Sequence, residues 1–201
     1  GMSYSLMAMS RTTSVFLSDL LSRGQLFKSL CLMFTLATEM NYILVPSLAG
    51  TSDSYQGATV LNCETGLYST VGVLDFASLY PSIIKTYNLG YSSLVMDVSA
   101  YGKLPGFTYQ ECHTDQGYYL FQTTIPDLLP RSVEKLLALR ASVKADMKRL
   151  KAEGGCAARI NVLDHDQLAI KVACNSLYGF TGTKMSALPC LPIAASTTYL
   201  G

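Results

Sequence analysis

The sequence predicts an α+β fold, a short sheet beside an antiparallel hairpin of two long helices. Three observations carry that prediction. Residues 67–76 run almost unbroken through Val71, Val73, Leu74 and Phe76 before Pro81 stops the run, the pattern of a strand covered on both faces. Two helical segments, 131–152 and from about Asp164 to about Tyr178, are joined by "AEGGCAARINVLD", which suits an antiparallel helix pair. Between strand and hairpin, residues 97–130 mix Gly102, Pro105, Gly106, Gly117, Pro126 and Pro130 with many aromatics. A loop and a short strand near "GYYLFQ" are expected there.

The bulk numbers bound the possibilities. A length of 201 residues suits one domain with its own core, or a piece of a larger one. With 49 % hydrophobic and 14 % charged residues the chain is not a disordered segment. Fifteen basic residues against 14 acidic leave a net charge of +1, so a nucleic-acid partner has to meet a local patch. The six cysteines form no C-x-x-C pair and read as reduced thiols of an intracellular protein. Cys112-His113 lacks further ligands at zinc spacing. The N-terminus lacks a basic region ahead of a clean apolar core, so no secretory signal is expected. The most apolar window, "SLCLMFTLA" at 29–37 between Lys28 and Glu39, falls short of the roughly 20 residues a membrane span needs. It reads as a buried helix, and no membrane partner is expected.

In chain order, Leu17, Leu20, Leu21, Phe27, Leu30, Phe34 and Met40 lie near a 3.6 period and predict helix over 14–42. Ser, Gly, Thr and Asp make 46–58 a loop. A helix is expected from about Pro81, since proline is favoured in a first turn. The helix over 131–152 opens at Pro130-Arg131-Ser132 and stops at Glu153-Gly154-Gly155. Asp164 and Asp166, around His165, read as first-turn acids of the second hairpin helix. Gly179 and Gly182 punctuate its end, and Pro189 and Pro192 interrupt the segment beyond it.

Both hairpin helices carry a cationic face. With Arg140 at zero, Lys151, Lys144 and Lys148 fall at about 20°, 40° and 80° around the first helix. Val133, Val143, Met147 and Leu150 lie beside them, so the basic arc adjoins the apolar stripe. On the second helix Lys171, Asn175 and Tyr178 share a face at i, i+4, i+7. A cation, an amide and a phenol so placed suit a phosphate chain with a flat base or sugar. They equally suit a solvated face with a core tyrosine. Taken singly, Asp75 also suits a helix N-cap, Tyr80 a core aromatic and Asn175 a mid-helix polar residue.

Two stretches taken together are more specific. "DFASLYPSII" at 75–84 followed by "KVACNSLYGFTG" at 171–182 resembles motifs A and B of the family B DNA polymerases. The intervening "LLALRASVK" resembles that family's fingers helix, with Arg140 and Lys144 four residues apart. The similarity runs from about residue 16 to the end, with 97–125 matching nothing that can be placed. Within the family the wording is closest to the herpesvirus-type enzymes, in "SRGQLFKSL", "GATVLNCETGLY" and "DFASLYPSIIKTYNLGYSSLV". The family's second catalytic aspartate lies in a Y-G-D-T-D-S hairpin that this sequence does not contain. No exonuclease motif or thumb is visible either, so the chain looks like an internal piece of such an enzyme.

The resemblance implies a domain plan. Residues 1–66 form a connecting helix and loop, 67–130 part of the palm with its short sheet and motif A, 131–180 the fingers hairpin with motif B, and 181–201 a return into the palm. It also implies a function, transfer of deoxynucleotides from their triphosphates to a primer 3′-hydroxyl on primer-template DNA. Two Mg2+ ions assist in the whole enzyme, and Asp75 with the Phe76 carbonyl are the metal ligands here. Ser78 and Leu79 offer backbone N–H groups to the triphosphate, and Tyr80 packs under the sugar as a gate against ribonucleotides. Arg140, Lys144, Lys171 and Asn175 meet the triphosphate, with Lys171 the candidate proton donor to the leaving pyrophosphate. Tyr178 and Gly179 line the nascent base pair. A processivity factor and a site of action in the host cell nucleus are further implications of a herpesvirus-type enzyme.

Overall fold

The computed structural model describes residues 2–44, 57 and 60–201. The expected loop over 46–58 lies outside the described residues except at Gly57. Eight helices and one two-stranded sheet are described: α1 (Met2–Thr13), α2 (Leu17–Ser22), α3 (Gln25–Glu39), α4 (Leu79–Thr86), α5 (Val98–Tyr101), β1 (Tyr109–Thr114), β2 (Gly117–Gln122), α6 (Leu128–Ala152), α7 (Ala157–Gly182) and α8 (Leu191–Tyr199). The α+β class expected from the sequence is what the chain adopts.

The hairpin of α6 and α7 is the spine. Val133 and Leu136 of α6 meet Ile170, Ala173, Cys174, Leu177 and Phe180 of α7 in one core cluster. Met33 and Leu36 of α3, Ile83 and Ile84 of α4, and Ile193 of α8 close over the same cluster. Gly154, at φ 68°, supplies the left-handed residue that ends α6.

Helix α6 starts earlier than expected because Asp127 caps it. Its carboxylate is buried and accepts from the Leu128 N–H, from Ser92 N (2.6 Å) and Ser93 N (2.7 Å), and from the Tyr42 hydroxyl (3.2 Å). An anion at a helix N-terminus meets both unpaired N–H groups and the positive end of the helix dipole. Asn88 completes the junction, its Oδ1 accepting from Asp127 N and its Nδ2 donating to the Gln122 and Ile125 carbonyls. A Cβ at Gly90 would run into the Asp127 carboxyl, so only glycine lets this turn approach so closely. The junction fixes the end of α4 against the start of α6.

Four expectations need correction. The single helix over 14–42 is two helices, α2 and α3, broken at Arg23-Gly24, where Gly24 is the extended N-cap of α3; α1 before them went unanticipated. The second hairpin helix begins at Ala157, because "AARINVL" is already helix-favouring once Gly154-Gly155 has turned the chain. Asp164 and Asp166 are therefore mid-helix: Asp166 pairs with Arg11 of α1, and His165 Nδ1 meets Ser5 Oγ at 2.9 Å. The aromatic-rich segment holds a hairpin, with β1 paired antiparallel to β2 from Tyr109↔Gln122 to Thr114↔Gly117. "YQECHT" has little β propensity, and its pairing with the expected "GYYLFQ" strand makes it a strand.

The fourth correction concerns residues 67–76. They form no strand, and Val71, Val73, Leu74 and Phe76 are 68 %, 86 %, 100 % and 75 % exposed. A strand is held by its ladder and by layers over its faces. Among the described residues no strand pairs with this segment and no element covers it. Asp75 is thus not fixed by a buried strand.

Candidate nucleotide-binding site

The strongest constellation forms where α4 begins. Ser78 adopts a left-handed conformation (φ 55°, ψ 54°) and is the N-cap of α4, so Asp75 is not that cap. The turn sets Leu79, Tyr80 and Pro81 in the first helical turn. Among the described residues no acceptor meets the backbone N–H of Ser78, Leu79 or Tyr80, as expected for the first residues of a helix. Pro81 has no N–H to leave unpaired, and Ser82 donates back to Ser78 O at 2.9 Å.

These residues form one wall of a cleft of about 540 Å³ whose other walls come from the hairpin. Asp75, Phe76, Ser78, Leu79 and Tyr80 face Arg140 and Lys144 of α6 and Lys171 and Asn175 of α7. Every residue the sequence singled out for a metal or a triphosphate lines this one cleft. Tyr178 stands directly behind it, its ring stacked on Tyr80 with centroids 4.4 Å apart and planes 28° apart. Gly179 is the next residue on α7, and a Cβ there would meet nothing within 4 Å. Tyr80 and Tyr178 are half-buried, so each keeps ring area outside the core.

Some cations of the chain are engaged by carboxylates, Lys85 with Glu134, Lys135 with Glu39, Lys103 with Glu111 and Arg149 with Asp146. Those of the cleft are not: among the described residues no carboxylate forms an ion pair with Arg140, Lys144 or Lys171. Three cations and free N–H groups at a helix start converge on one space beside a single carboxylate. Such a site favours a multiply charged anion. The four-cation arc of α6 divides here, since Arg140 and Lys144 reach the cleft while Lys148 and Lys151 do not line it.

The donor set suits part of a magnesium site. Mg2+ is bound through one or two carboxylates plus substrate phosphates and retains waters. Asp75 is one exposed carboxylate three residues ahead of the Ser78 turn, on the wall of the same cleft. Among the described residues no group of three or more His, Cys, Asp or Glu side chains assembles. The described residues of the cleft therefore fit one carboxylate's share of such a site.

Two residues that matter for this geometry were not singled out in the sequence. Asp127 anchors α4 to α6, and "PDLLP", an acid one residue ahead of a helix whose first turn contains proline, was its signal. Gln167 contacts Arg140 from within α7 (3.3 Å); a glutamine one turn before Lys171 carries no motif signal of its own.

A hairpin and a helix start together form a cleft whose cations and N–H groups suit an anion, with one carboxylate beside them. Comparison with known proteins supplies the family. Residues 15–201 match the model of DNA polymerase family B, and the chain belongs to that family. It is 39 % identical over 212 residues to the DNA polymerase delta catalytic subunit of Oryza sativa, covering 98 % of this chain and 18 % of that protein. It is also 39 % identical over 186 residues to the DNA polymerase catalytic subunit of Alcelaphine herpesvirus 1, covering 90 % of this chain and 18 % of that one. Its fold superposes on the family B DNA polymerase of Pyrobaculum calidifontis with a TM-score of 0.78 at 25 % identity, over 98 % of this chain and 25 % of that one. The chain thus spans about a fifth of the length of the curated relatives it matches. No helix among the described residues is long and apolar enough to cross a membrane.

Proposed function

We propose that this chain is the nucleotide-binding part of a DNA-directed DNA polymerase. It holds an incoming deoxynucleoside triphosphate between the start of α4 and the α6–α7 hairpin. The observation that carries the reading is the convergence of Asp75, Arg140, Lys144, Lys171, Asn175 and the N–H groups at Ser78–Tyr80 on one cleft. Phosphoryl transfer requires charge neutralisation and alignment more than covalent chemistry. Arg140, Lys144 and Lys171 neutralise the triphosphate, and Asn175 and the α4 N–H groups fix its oxygens. Lys171 protonates the departing pyrophosphate. Tyr80, backed by Tyr178, forms the floor beneath the sugar and leaves no space for a 2′-hydroxyl. Tyr178 and Gly179 bound the base pair, the glycine keeping that surface flat.

The Asp75 carboxylate and the Phe76 carbonyl are this chain's ligands for Mg2+. Bound there with the triphosphate, the ions would offset phosphate charge and activate the primer hydroxyl. Residues 67–130 and 181–201 belong to the palm in this reading, 131–180 are the fingers, and 1–66 lead into the palm. Primer-template DNA is the second substrate. A herpesvirus-type replicative enzyme acting in the host nucleus with a processivity factor is the finer assignment, carried by the wording of "SRGQLFKSL" and "DFASLYPSIIKTYNLGYSSLV". The equal identity to a plant delta subunit supports a cellular replicative enzyme as the second reading. Sequencing the gene on both sides of this segment separates the two.

The direct test is calorimetric titration of the chain with dTTP, with and without Mg2+. Saturable binding that is strengthened by Mg2+ and loses that strengthening in Asp75→Asn is expected. Absence of binding, or binding indifferent to Asp75 and Lys171, would refute the assignment. In the polymerase that carries this segment, Asp75→Asn should lower the rate of incorporation by roughly 100-fold or more, on the scale of losing one transition-state contact.

A further inference from the structure

We infer that Gln167 is a positioning residue for the triphosphate site, a neutral clamp that aims Arg140 into the cleft without reducing its charge. The inference rests on the nucleotide-binding reading above and extends it to a residue outside the cleft wall.

Gln167 is nine-tenths buried between the hairpin helices. Its Oε1 accepts from Arg140 Nε at 3.3 Å, and its Nε2 donates to Asp164 Oδ1 at 3.1 Å. The amide can be oriented in only one way. Arg Nε–H is solely a donor, so it must face the amide oxygen; a carboxylate is solely an acceptor, so it must face the amide nitrogen. Asp164, one turn earlier on α7, therefore fixes the amide, and the amide fixes Arg140.

This arrangement has two physical consequences. An arginine side chain carries about 2 kcal/mol of rotamer entropy, and a ligand that must order it loses part of that in affinity. With Nε already engaged, part of the ordering is complete before an anion arrives, and the four Nη–H donors remain for phosphate oxygens. The second consequence concerns charge. Asp164 acting directly on Arg140 would neutralise it, whereas a neutral amide between them transmits orientation and leaves the guanidinium unpaired. Of the residues lining the cleft, Arg140 is the one whose side chain is held in this way from behind.

Tripolyphosphate titrated into the 201-residue chain by calorimetry tests the inference, since it probes the anion site without base or sugar. Gln167→Met keeps the side chain's bulk and removes both hydrogen bonds. It should weaken tripolyphosphate binding roughly three- to tenfold, the range of one lost hydrogen bond. In an Arg140→Ala background the same substitution should cost nothing further, an outcome that a packing role for Gln167 would not produce. Gln167→Glu, nearly isosteric and still an acceptor for Arg140, should weaken binding at least as much as Gln167→Met, because a carboxylate neutralises the guanidinium. It carries the test if the methionine variant does not fold. Wild-type affinity in folded Gln167→Glu, or losses that add to that of Arg140→Ala, would overturn the clamp while leaving the site itself in place. A wild-type chain that binds no tripolyphosphate would instead overturn the nucleotide-binding reading, and the clamp with it.

Discussion

The α6–α7 hairpin and the segment 67–76 are both apolar in sequence, yet one is packed and the other exposed. In the hairpin the core-facing stripe has partners: Leu177 and Phe180 are 0 % and 1 % exposed against residues from α3, α4 and α8. In the segment, Leu74 is fully exposed although its neighbours would suit a core strand. The difference is one of where partners come from. Two helices joined by a short turn bury their stripes against each other with all hydrogen bonds local. A central strand depends on neighbouring strands and covering layers, often distant in sequence. The catalytic carboxylate of the proposed site is thus carried on the part of the chain that has least support, and the cations on the part that has most.

The largest effect that can break this comparison lies in the hairpin core. Phe180→Ala removes a fully buried ring from the cluster that joins α7 to α3, α4 and α8. It should lower the unfolding free energy of the chain by about 3–5 kcal/mol, read from urea titration by circular dichroism. A loss below about 1 kcal/mol would mean that the hairpin is not the structural centre.

Next comes the hairpin's outward face. Lys171 is exposed and forms no ion pair among the described residues. Lys171→Ala should therefore leave stability within about 0.5 kcal/mol. Triphosphate binding should fall by about 1.5–3 kcal/mol, the contribution of a charge-assisted hydrogen bond. The two measurements together separate the packed face from the binding face. Equal losses in both would place Lys171 in the fold rather than the site.

The motifs were more legible than the elements around them. Asp75, Tyr80, Arg140, Lys144, Lys171 and Asn175 stand out in the sequence, and the cleft unites them because helical spacing fixes which side chains share a face. The start of α7 is hard to read because acids at 164 and 166 resemble a first turn, whereas Asp166 binds Arg11 of α1, 155 residues away, and Asp164 accepts from Gln167 within α7. The break at Arg23-Gly24 is hidden by an apolar period that continues across it. Asp127 and Gln167 act through residues distant in sequence, and no local pattern announces such contacts.

A smaller effect comes from pH and again distinguishes the buried hairpin. Burial pushes the Cys174 thiol of α7 and the Cys190 thiol up to about 11 from an ordinary value of 9. As pH rises past about 9 the unfolded chain releases these protons while the folded chain retains them. Stability then falls with pH until the folded thiols ionise near 11. Burial raises the Tyr42 and Tyr91 phenols as well, so the decline continues above that window. Cys174→Ala should make the slope between pH 9 and 11 shallower by up to about 1.4 kcal/mol per pH unit, one proton's worth. An unchanged slope would show that Cys174 is not enclosed as the hairpin requires.

The smallest expected effect is in the segment itself, and it sharpens the comparison most. Val73→Lys places a charge in the middle of an apolar run, a change that would be ruinous in a covered strand, where an unpaired buried charge costs several kcal/mol. Val73 is 86 % exposed here, so the unfolding free energy of the chain should change by less than about 0.5 kcal/mol. A run of exposed apolar side chains also favours self-association, and a lysine within it should lower the light scattering of concentrated samples. In a longer family B polymerase containing these residues, the same substitution should be strongly destabilising if other parts of that protein cover residues 67–76. Tolerance in the isolated chain with intolerance in the larger protein would mean that the support for Asp75 comes from elsewhere in the polypeptide. A large loss of stability in the isolated chain would instead show the segment to be packed within these 201 residues, and the contrast with the hairpin would not hold.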